Sequence, residues 1–359
     1  MHKINFNTVA NPPEGQRYHY PEYKQDWKDT SFPMNIFDAQ GQLTEEKLVQ
    51  IRDQFNAAGA LHIVNSGLDV DPEKIPAEIL QGLGFGHDEQ FKWGGNVSGR
   101  TNLKTISAAM RHTDDYPKDL FLLPHNEILY QQSMPLKLMF FCESTTQNGH
   151  GGRTFVHSAK KVEDYIRNCG PEGEQLLEKM EAGGFTIITG FLDEDHPEKD
   201  QNYFRSWQER FDTKCLDQAL KNCKAASDQF DDCWWKEEVD GDSVFHTLMT
   251  TITIPAFKVD ERDGERYMLF PRIALDEPTL YNGYRRYLIG PDDQELSKTE
   301  TAILLQAFLA TREGRYYKPT DILLVDNIRY GHGRESYGGT RKVYASMAGE
   351  FKADALRCR

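Results

Sequence analysis

The chain has 359 residues, with 42 Lys and Arg against 56 Asp and Glu and a formal net charge of −14. So acidic a chain repels phosphate backbones, and without a local basic patch it is not expected to bind nucleic acid. No uncharged apolar run approaches the ~20 residues of a membrane span, and the opening MHKINFNTVANPPEGQRYHYPEY lacks the apolar core and small-residue cleavage site of an export signal, so the chain reads as cytoplasmic.

Residues 1–35 are rich in Pro, Tyr and Asn and read as an arm wrapping the body. Thr44–Gly59 predicts a helix: Thr44 caps it, Leu48, Ile51 and Phe55 share a face, and Gly59 stops it. Ala60–Val64 predicts a strand, and the glycines from 82 to 99 predict loops. Further strands are expected at Leu136–Cys142, Thr154–His157, Phe185–Thr189, Thr250–Ile254, Ile322–Val325 and Lys342–Met347. Helices are expected at Lys160–Arg167, Asp212–Phe230 and Ser297–Arg312, the last opened by the Ser297–Glu300 capping box and ended by Gly314. Strands dominate without regular alternation with helices, which disfavours a doubly wound sheet. The pattern reads as mainly β with flanking helices, a sandwich or jelly roll in one domain over 1–359. The polar stretch 193–242 reads as an insertion that can cover a site. The six cysteines form no C-x-x-C pair and read as reduced thiols.

Two histidine–acid motifs stand out, His87-Asp88-Glu89 and His125-Asn126-Glu127. On a strand, positions i and i+2 face the same way, so a His-x-Glu pair can offer an imidazole and a carboxylate to one metal. His87 lies in a polar, glycine-rich setting that reads as loop, whereas His125 follows the apolar LFLLP. The candidate third ligand is His332, beyond the strand Ile322–Val325. His62, His112, His150, His157, His196 and His246 read as surface or satisfied core histidines. Two histidines and one carboxylate leave three positions of an octahedron open, which suits non-haem Fe(II) better than structural zinc. Those positions accept a chelating organic acid and O2. Arg341 is placed at the start of the last strand, sharing a face with Val343, Ala345 and Met347, where a guanidinium needs an anionic partner such as a distal carboxylate. Thr154, opening a strand after Gly151-Gly152-Arg153, offers a hydroxyl to the same group.

HNE at 125–127, GGRTFV at 151–156 and DILLVDNIRYGHGRESYGGTRK at 321–342 together resemble the taurine-dioxygenase-like, clavaminate-synthase-like superfamily of Fe(II)/2-oxoglutarate oxygenases. PHNEILY, MPLKLMFFC, GGRTFVHSAKKV and SWQERFDT resemble the branch near the aspartyl hydroxylases of nonribosomal peptide pathways. The resemblance covers roughly residues 90–350. It implies a double-stranded β-helix core, Fe(II) on His125, Glu127 and His332, and 2-oxoglutarate on Thr154 and Arg341. It also implies oxidative decarboxylation to succinate and CO2 coupled to C–H oxidation by O2. Relatives that halogenate carry a small residue where Glu127 stands, so halogenation is disfavoured. The chain departs from the branch at Met268–Arg272 and at Thr250–Ile254, so no particular substrate carries over.

Arg334 is the candidate for a second anion, the carboxylate of a small amino-acid-derived substrate of secondary metabolism; Tyr130, Arg272 and Arg100 are weaker pocket candidates. Hydroxylation, desaturation and kainoid-type ring closure all remain open. So do a carrier-protein-bound amino acid as substrate and a catalytically silent binding protein of the same fold. Oligomeric state is not legible.

Overall fold

The computed structural model describes residues 34–89, 91, 110–113, 118, 121–129, 133–145, 151–197, 206–226, 229–271 and 285–351. In chain order, β1 (Ile36–Asp38), α1 (Glu45–Ala58), β2 (Ala60–Val64) and α2 (Ala77–Gly82) come first. β3 (Arg111–His112), β4 (Leu122–His125), β5 (Met134–Ser144) and β6 (Thr154–Ser158) follow. Then come α3 (Ala159–Arg167), α4 (Pro171–Gly183), β7 (Phe185–Phe191), α5 (Trp207–Phe211) and α6 (Leu216–Ala225). β8 (Asp232–Asp240), β9 (Ser243–Ile254), β10 (Phe257–Val259), β11 (Arg266–Met268), β12 (Arg285–Ile289) and β13 (Gln294–Glu295) lead to α7 (Lys298–Ala310). The chain closes with β14 (Arg312–Gly314), β15 (Ile322–Asp326), β16 (Tyr330–Arg334) and β17 (Lys342–Phe351).

Two sheets make the frame. One has the order β1-β2-β15-β5-β17-β3 and the other β14-β6-β16-β4. From β3 to β6 and again from β14 to β17 the chain alternates between the two sheets, and β14 pairs with β6 in the second. This is the double-stranded β-helix, or jelly roll. Residues 159–311 leave the frame between β6 and β14 and build α3–α7 and a further sheet, β13-β12-β7-β9-β8. The stretch 193–242 carries α5, α6 and β8 within that excursion.

The apolar run of β5 follows from burial on both faces. Leu138, Phe140 and Cys142 point between the sheets with Val156, Leu323, Val325 and Val343. Met139 and Phe141 point the other way, onto Leu48, Ile51 and Phe55 of α1. Thr44 caps α1 by accepting from Lys47 N, and the Ser297–Glu300 capping box opens α7.

Several expected boundaries move. The helix expected over Asp212–Phe230 shrinks to α6, because Asp212 is the left-handed cap of α5 at φ 49° and Phe230 turns into a small core with Phe191, Trp207 and Cys223. Gly314 does not end α7; Thr311 caps it, and Arg312–Gly314 is recruited by β6 as a strand. Helix α4 was not legible as a separate element; it opens with Pro171 in its first turn and buries Leu176, Leu177 and Met180. Residues 1–33, most of the expected arm, lie outside the described residues. None of the described helices is long and apolar enough to cross a membrane.

The outer face of the second sheet packs on the excursion through small residues. A Cβ on Gly331 would lie 2.4 Å from Phe270 Cδ2. We expect Gly331→Ala to cost about 1–3 kcal/mol by overpacking, read from urea denaturation; an unchanged midpoint would contradict this packing.

His157 lies on the same outer face, beneath α7, with Nδ1 3.3 Å from Thr311 Oγ1 and its ring 5.7 Å from that of Phe308. Burial, then the charges of Arg312 and His332, hold its imidazole well below the ordinary histidine range. The folded chain therefore keeps it neutral, while the unfolded chain takes up its proton near pH ~6.5. Its contribution is fully present above that pH and is lost as pH falls toward the depressed folded value. The thermal midpoint should drop less steeply between pH 7 and pH 5 in His157→Gln than in the parent chain; equal slopes would count against a buried neutral His157.

Candidate metal centre and anion-binding wall

The pairing of β16 with β4 sets His332 opposite His125 across the antiparallel ladder. Their ring centroids are 4.4 Å apart. Glu127 completes the group: its Oε2 lies 3.7 Å from His125 Nε2 and 3.4 Å from His332 Nε2. The ligand atoms of all three lie within 4.8 Å of one another. No other set of three His, Cys, Asp or Glu side chains converges in this way among the described residues.

The expected i, i+2 strand pair is realised differently. His125 is the last residue of β4, and Glu127 lies in the turn beyond it, followed by Ile128 at φ 60°. Contacts to another turn draw the chain out of the ladder. Asn327, just after β15, accepts from Glu127 N at 2.8 Å and donates to Glu127 O at 3.1 Å. Asn126 accepts from Phe270 N and donates to the carbonyl of Asn327. Both asparagines are fully buried. Neither was singled out from the sequence, because a single asparagine in a motif carries no mark of where its amide goes.

Electrostatics prepare these groups to act as ligands. His125 Nδ1 lies 2.9 Å from the Leu123 carbonyl and donates to it, leaving the Nε2 lone pair facing Glu127. Burial, reinforced by the charge of His332, brings His125 down to about 4. Burial alone would raise Glu127, but the His125 and His332 imidazoles beside its carboxylate bring it well below the carboxylate range. A neutral imidazole and an ionised carboxylate are the forms that bind metal. His332 Nδ1 is buried without a hydrogen-bond partner while its Nε2 points at the carboxylate. Two nitrogens and one oxygen, with no thiolate among them, fit a six-coordinate Fe(II) better than a closed zinc site.

A second feature stands beside the triad on β6. Val156 opposes His332, and Thr154 opposes Arg334. Thr154 is thus two residues, roughly 7 Å, along the strand from His332's partner. Arg341 donates through Nη2 to Thr154 Oγ1 at 2.7 Å and through Nε to Gly152 O at 2.9 Å. Arg341 was expected to begin the last strand; it sits just before β17, whose register shifts between Lys342 and Val343. Beyond that bulge the alternation holds, with Val343, Ala345 and Met347 facing the interior cluster. A Cβ on Gly152 would lie 3.2 Å from Tyr337 Cβ and 3.4 Å from Arg341 Cδ, so this turn lets the chain run close against both.

Arg334 is buried and stacks its guanidinium 4.8 Å from the Tyr337 ring centroid, while that of Arg341 lies 5.9 Å from the same centroid. Arg153 is paired with Glu335 at 2.7 Å. Arg329, close in sequence, belongs elsewhere: it pairs with Asp263 at 2.8 Å and donates to Asn56 O at 3.0 Å. Tyr130, Arg272 and Arg100 lie outside the described residues. His87 is exposed in a short 3₁₀ turn. His62, His196 and His246 face Asp321, Glu238 and Glu237 respectively, away from the triad. Tyr337 is the other residue that sequence reasoning missed.

No family model matches the chain. A clavaminate synthase-like protein of Arabidopsis thaliana is 24% identical over 277 residues, 75% of this chain and 76% of that protein. Among solved structures, the PvcB protein of Pseudomonas aeruginosa is 12% identical and gives a TM-score of 0.49 over 90% of this chain and 89% of its own. A Burkholderia xenovorans protein described as an alpha-ketoglutarate-dependent taurine dioxygenase is 13% identical and gives 0.45 over 91% and 94%. The jelly-roll assignment rests on the strand pairing of the chain itself. His-x-Glu and a distant histidine converge on that frame, and the chain is similar over three-quarters of its length to the clavaminate synthase-like plant protein.

Proposed function

We propose that the protein is an Fe(II)- and 2-oxoglutarate-dependent dioxygenase that oxidises an unactivated C–H bond of a small, carboxylate-bearing, amino-acid-derived molecule. The observation that carries this reading is the Arg341–Thr154 pair, with Thr154 on β6, the strand paired with the one that carries His332. His125, Glu127 and His332 would hold the metal through two imidazole nitrogens and one carboxylate oxygen. Bound iron, with 2-oxoglutarate and O2, supplies the oxidising equivalent that breaks the C–H bond, releasing succinate and CO2. Arg341 receives the distal carboxylate of 2-oxoglutarate through its planar fork. Thr154 accepts from Arg341 and keeps its own hydroxyl proton to donate to the same carboxylate. The Phe140 ring lies 5.1 Å from that of His332 and would shield this ligand on its apolar side.

The primary substrate meets Arg334. By alternation Arg334 shares the face of β16 that carries His332, and its guanidinium and that of Arg341 lie 4.8 Å and 5.9 Å from the Tyr337 ring centroid. The resemblance to the aspartyl-hydroxylase branch supports an amino-acid-derived substrate in secondary metabolism. Hydroxylation, desaturation and ring closure all start from the same hydrogen abstraction. The outcome is set by how the pocket holds the substrate.

The test is succinate release with Fe(II), 2-oxoglutarate and O2 over free amino acids, N-alkylated amino acids and carrier-bound aminoacyl groups. We expect succinate above the background without primary substrate for at least one acidic or zwitterionic member of the set. Arg341→Gln should weaken saturation by the cosubstrate, raising its KM by ~100-fold or more, as loss of a buried charge partner does. Arg334→Ala should raise the KM for the primary substrate while leaving the cosubstrate's within a few-fold. No succinate from iron-loaded protein, or equal effects of the two substitutions on both KM values, would contradict the assignment.

A further inference from the structure

The turn that carries Glu127 and the turn that carries Asn327 are far apart in sequence, and both lie just beyond the ends of strands. Glu127 follows the end of β4, and Asn327 follows the end of β15. The side chain of Asn327 takes both polar groups of the Glu127 backbone, accepting from its N–H at 2.8 Å and donating to its carbonyl at 3.1 Å. It also donates to Pro135 O at 2.8 Å, and its own N–H donates to Leu136 O at 2.9 Å. Asn126 answers from the other side. Its amide donates to the carbonyl of Asn327 and to that of Tyr330, the latter at 3.3 Å, two residues before His332. Asn126 Oδ1 accepts from Phe270 N, and its backbone N–H donates to Phe270 O at 2.9 Å.

We infer that Asn126 and Asn327 form a reciprocal clasp that positions the Glu127 carboxylate against the two imidazoles, and that they are positioning residues of the metal centre. Three features set the clasp apart from ordinary core hydrogen bonding. Two of the bonds from the Asn327 side chain end on the backbone of a ligand residue, while its others and those of Asn126 tie that turn to β5, β16 and Phe270. Those two fix both amide groups of that residue, and so its backbone torsions and the direction of its side chain. They also hold Ile128 at φ 60°, a backbone region that a β-branched residue rarely adopts and keeps only when its surroundings impose it. Each asparagine uses both ends of its amide. Aspartate would lose the donors, serine would fall short of the far turn, and glutamine would overreach. The clasp rests on the reading of His125, Glu127 and His332 as a metal site, and the test keeps the two apart.

Co(II) serves as probe, with affinity from calorimetry and ligand geometry from its visible d–d bands. The parent chain, Asn327→Ser, Asn126→Ser and Thr250→Ala are compared, each with circular dichroism and a thermal midpoint. Thr250 is an equally buried polar control whose hydroxyl donates to Thr189 O at 3.1 Å within the β7–β9 pairing. The parent should bind one Co(II). Both asparagine variants should bind at least ~10-fold more weakly with altered d–d bands, as expected when a ligand's supporting shell is removed. Thr250→Ala should lower the midpoint and leave affinity and spectrum unchanged. Should Asn327→Ser fail to fold, Asn126→Ser decides, because it leaves the Asn327 bonds to Glu127 in place. Asparagine variants that bind Co(II) within twofold of the parent, with the same bands, overturn the clasp. A parent chain that binds no Co(II) removes the metal reading on which the clasp depends.

Discussion

The register between β4 and β16 is the constraint on which the site depends. It sets His332 opposite His125, and every other feature of the centre is measured from that pairing. A slip of one residue would send His332 to the outer face and bring a glycine inward. The outer face cannot take a side chain at Gly331 without displacing Phe270, nor at Gly333 without displacing Phe155 and the Leu122 carbonyl. The glycines flanking His332 therefore specify which face of β16 points inward. Phe270 in turn holds Asn126 through its backbone, so the excursion between β6 and β14 helps to build the metal centre as well as cover the sheet.

Charge is distributed against the grain of the composition. The chain carries a net charge of −14, yet Arg153, Arg334 and Arg341 are all buried. Arg153 is matched by Glu335. Arg334 and Arg341 share the Tyr337 ring, whose π-face favours cations.

Much of the framework was legible in the sequence because local chemistry and burial agree there. Thr44 and the Leu48, Ile51, Phe55 stripe define α1, the Ser297–Glu300 box opens α7, and the doubly buried LKLMFFC reads as a strand because nothing polar interrupts it for long. His125, Glu127, His332, Thr154 and Arg341 could be picked out by motif and alternation; the fold gathers the first three and joins Arg341 to Thr154. What the sequence could not reveal depends on distant partners. The departure of Glu127 from the strand is imposed by Asn327, 200 residues away. The shortening of α6 is imposed by a left-handed Asp212 and by a small core assembled from several elements. Arg329, five residues before Arg334, pairs instead with Asp263 in the β10–β11 turn, a contact that sequence proximity does not reveal. In each case tertiary contacts override a reasonable local reading.

Convergence of the three side chains on one iron can be checked by X-ray absorption at the iron edge, on protein loaded anaerobically with one equivalent of Fe(II). One iron per chain is expected, with two imidazoles bound directly to it. Oxygen donors should complete a six-coordinate shell, without sulfur. A spectrum showing no imidazole scattering, a sulfur shell, or iron that washes off the folded protein would contradict that convergence.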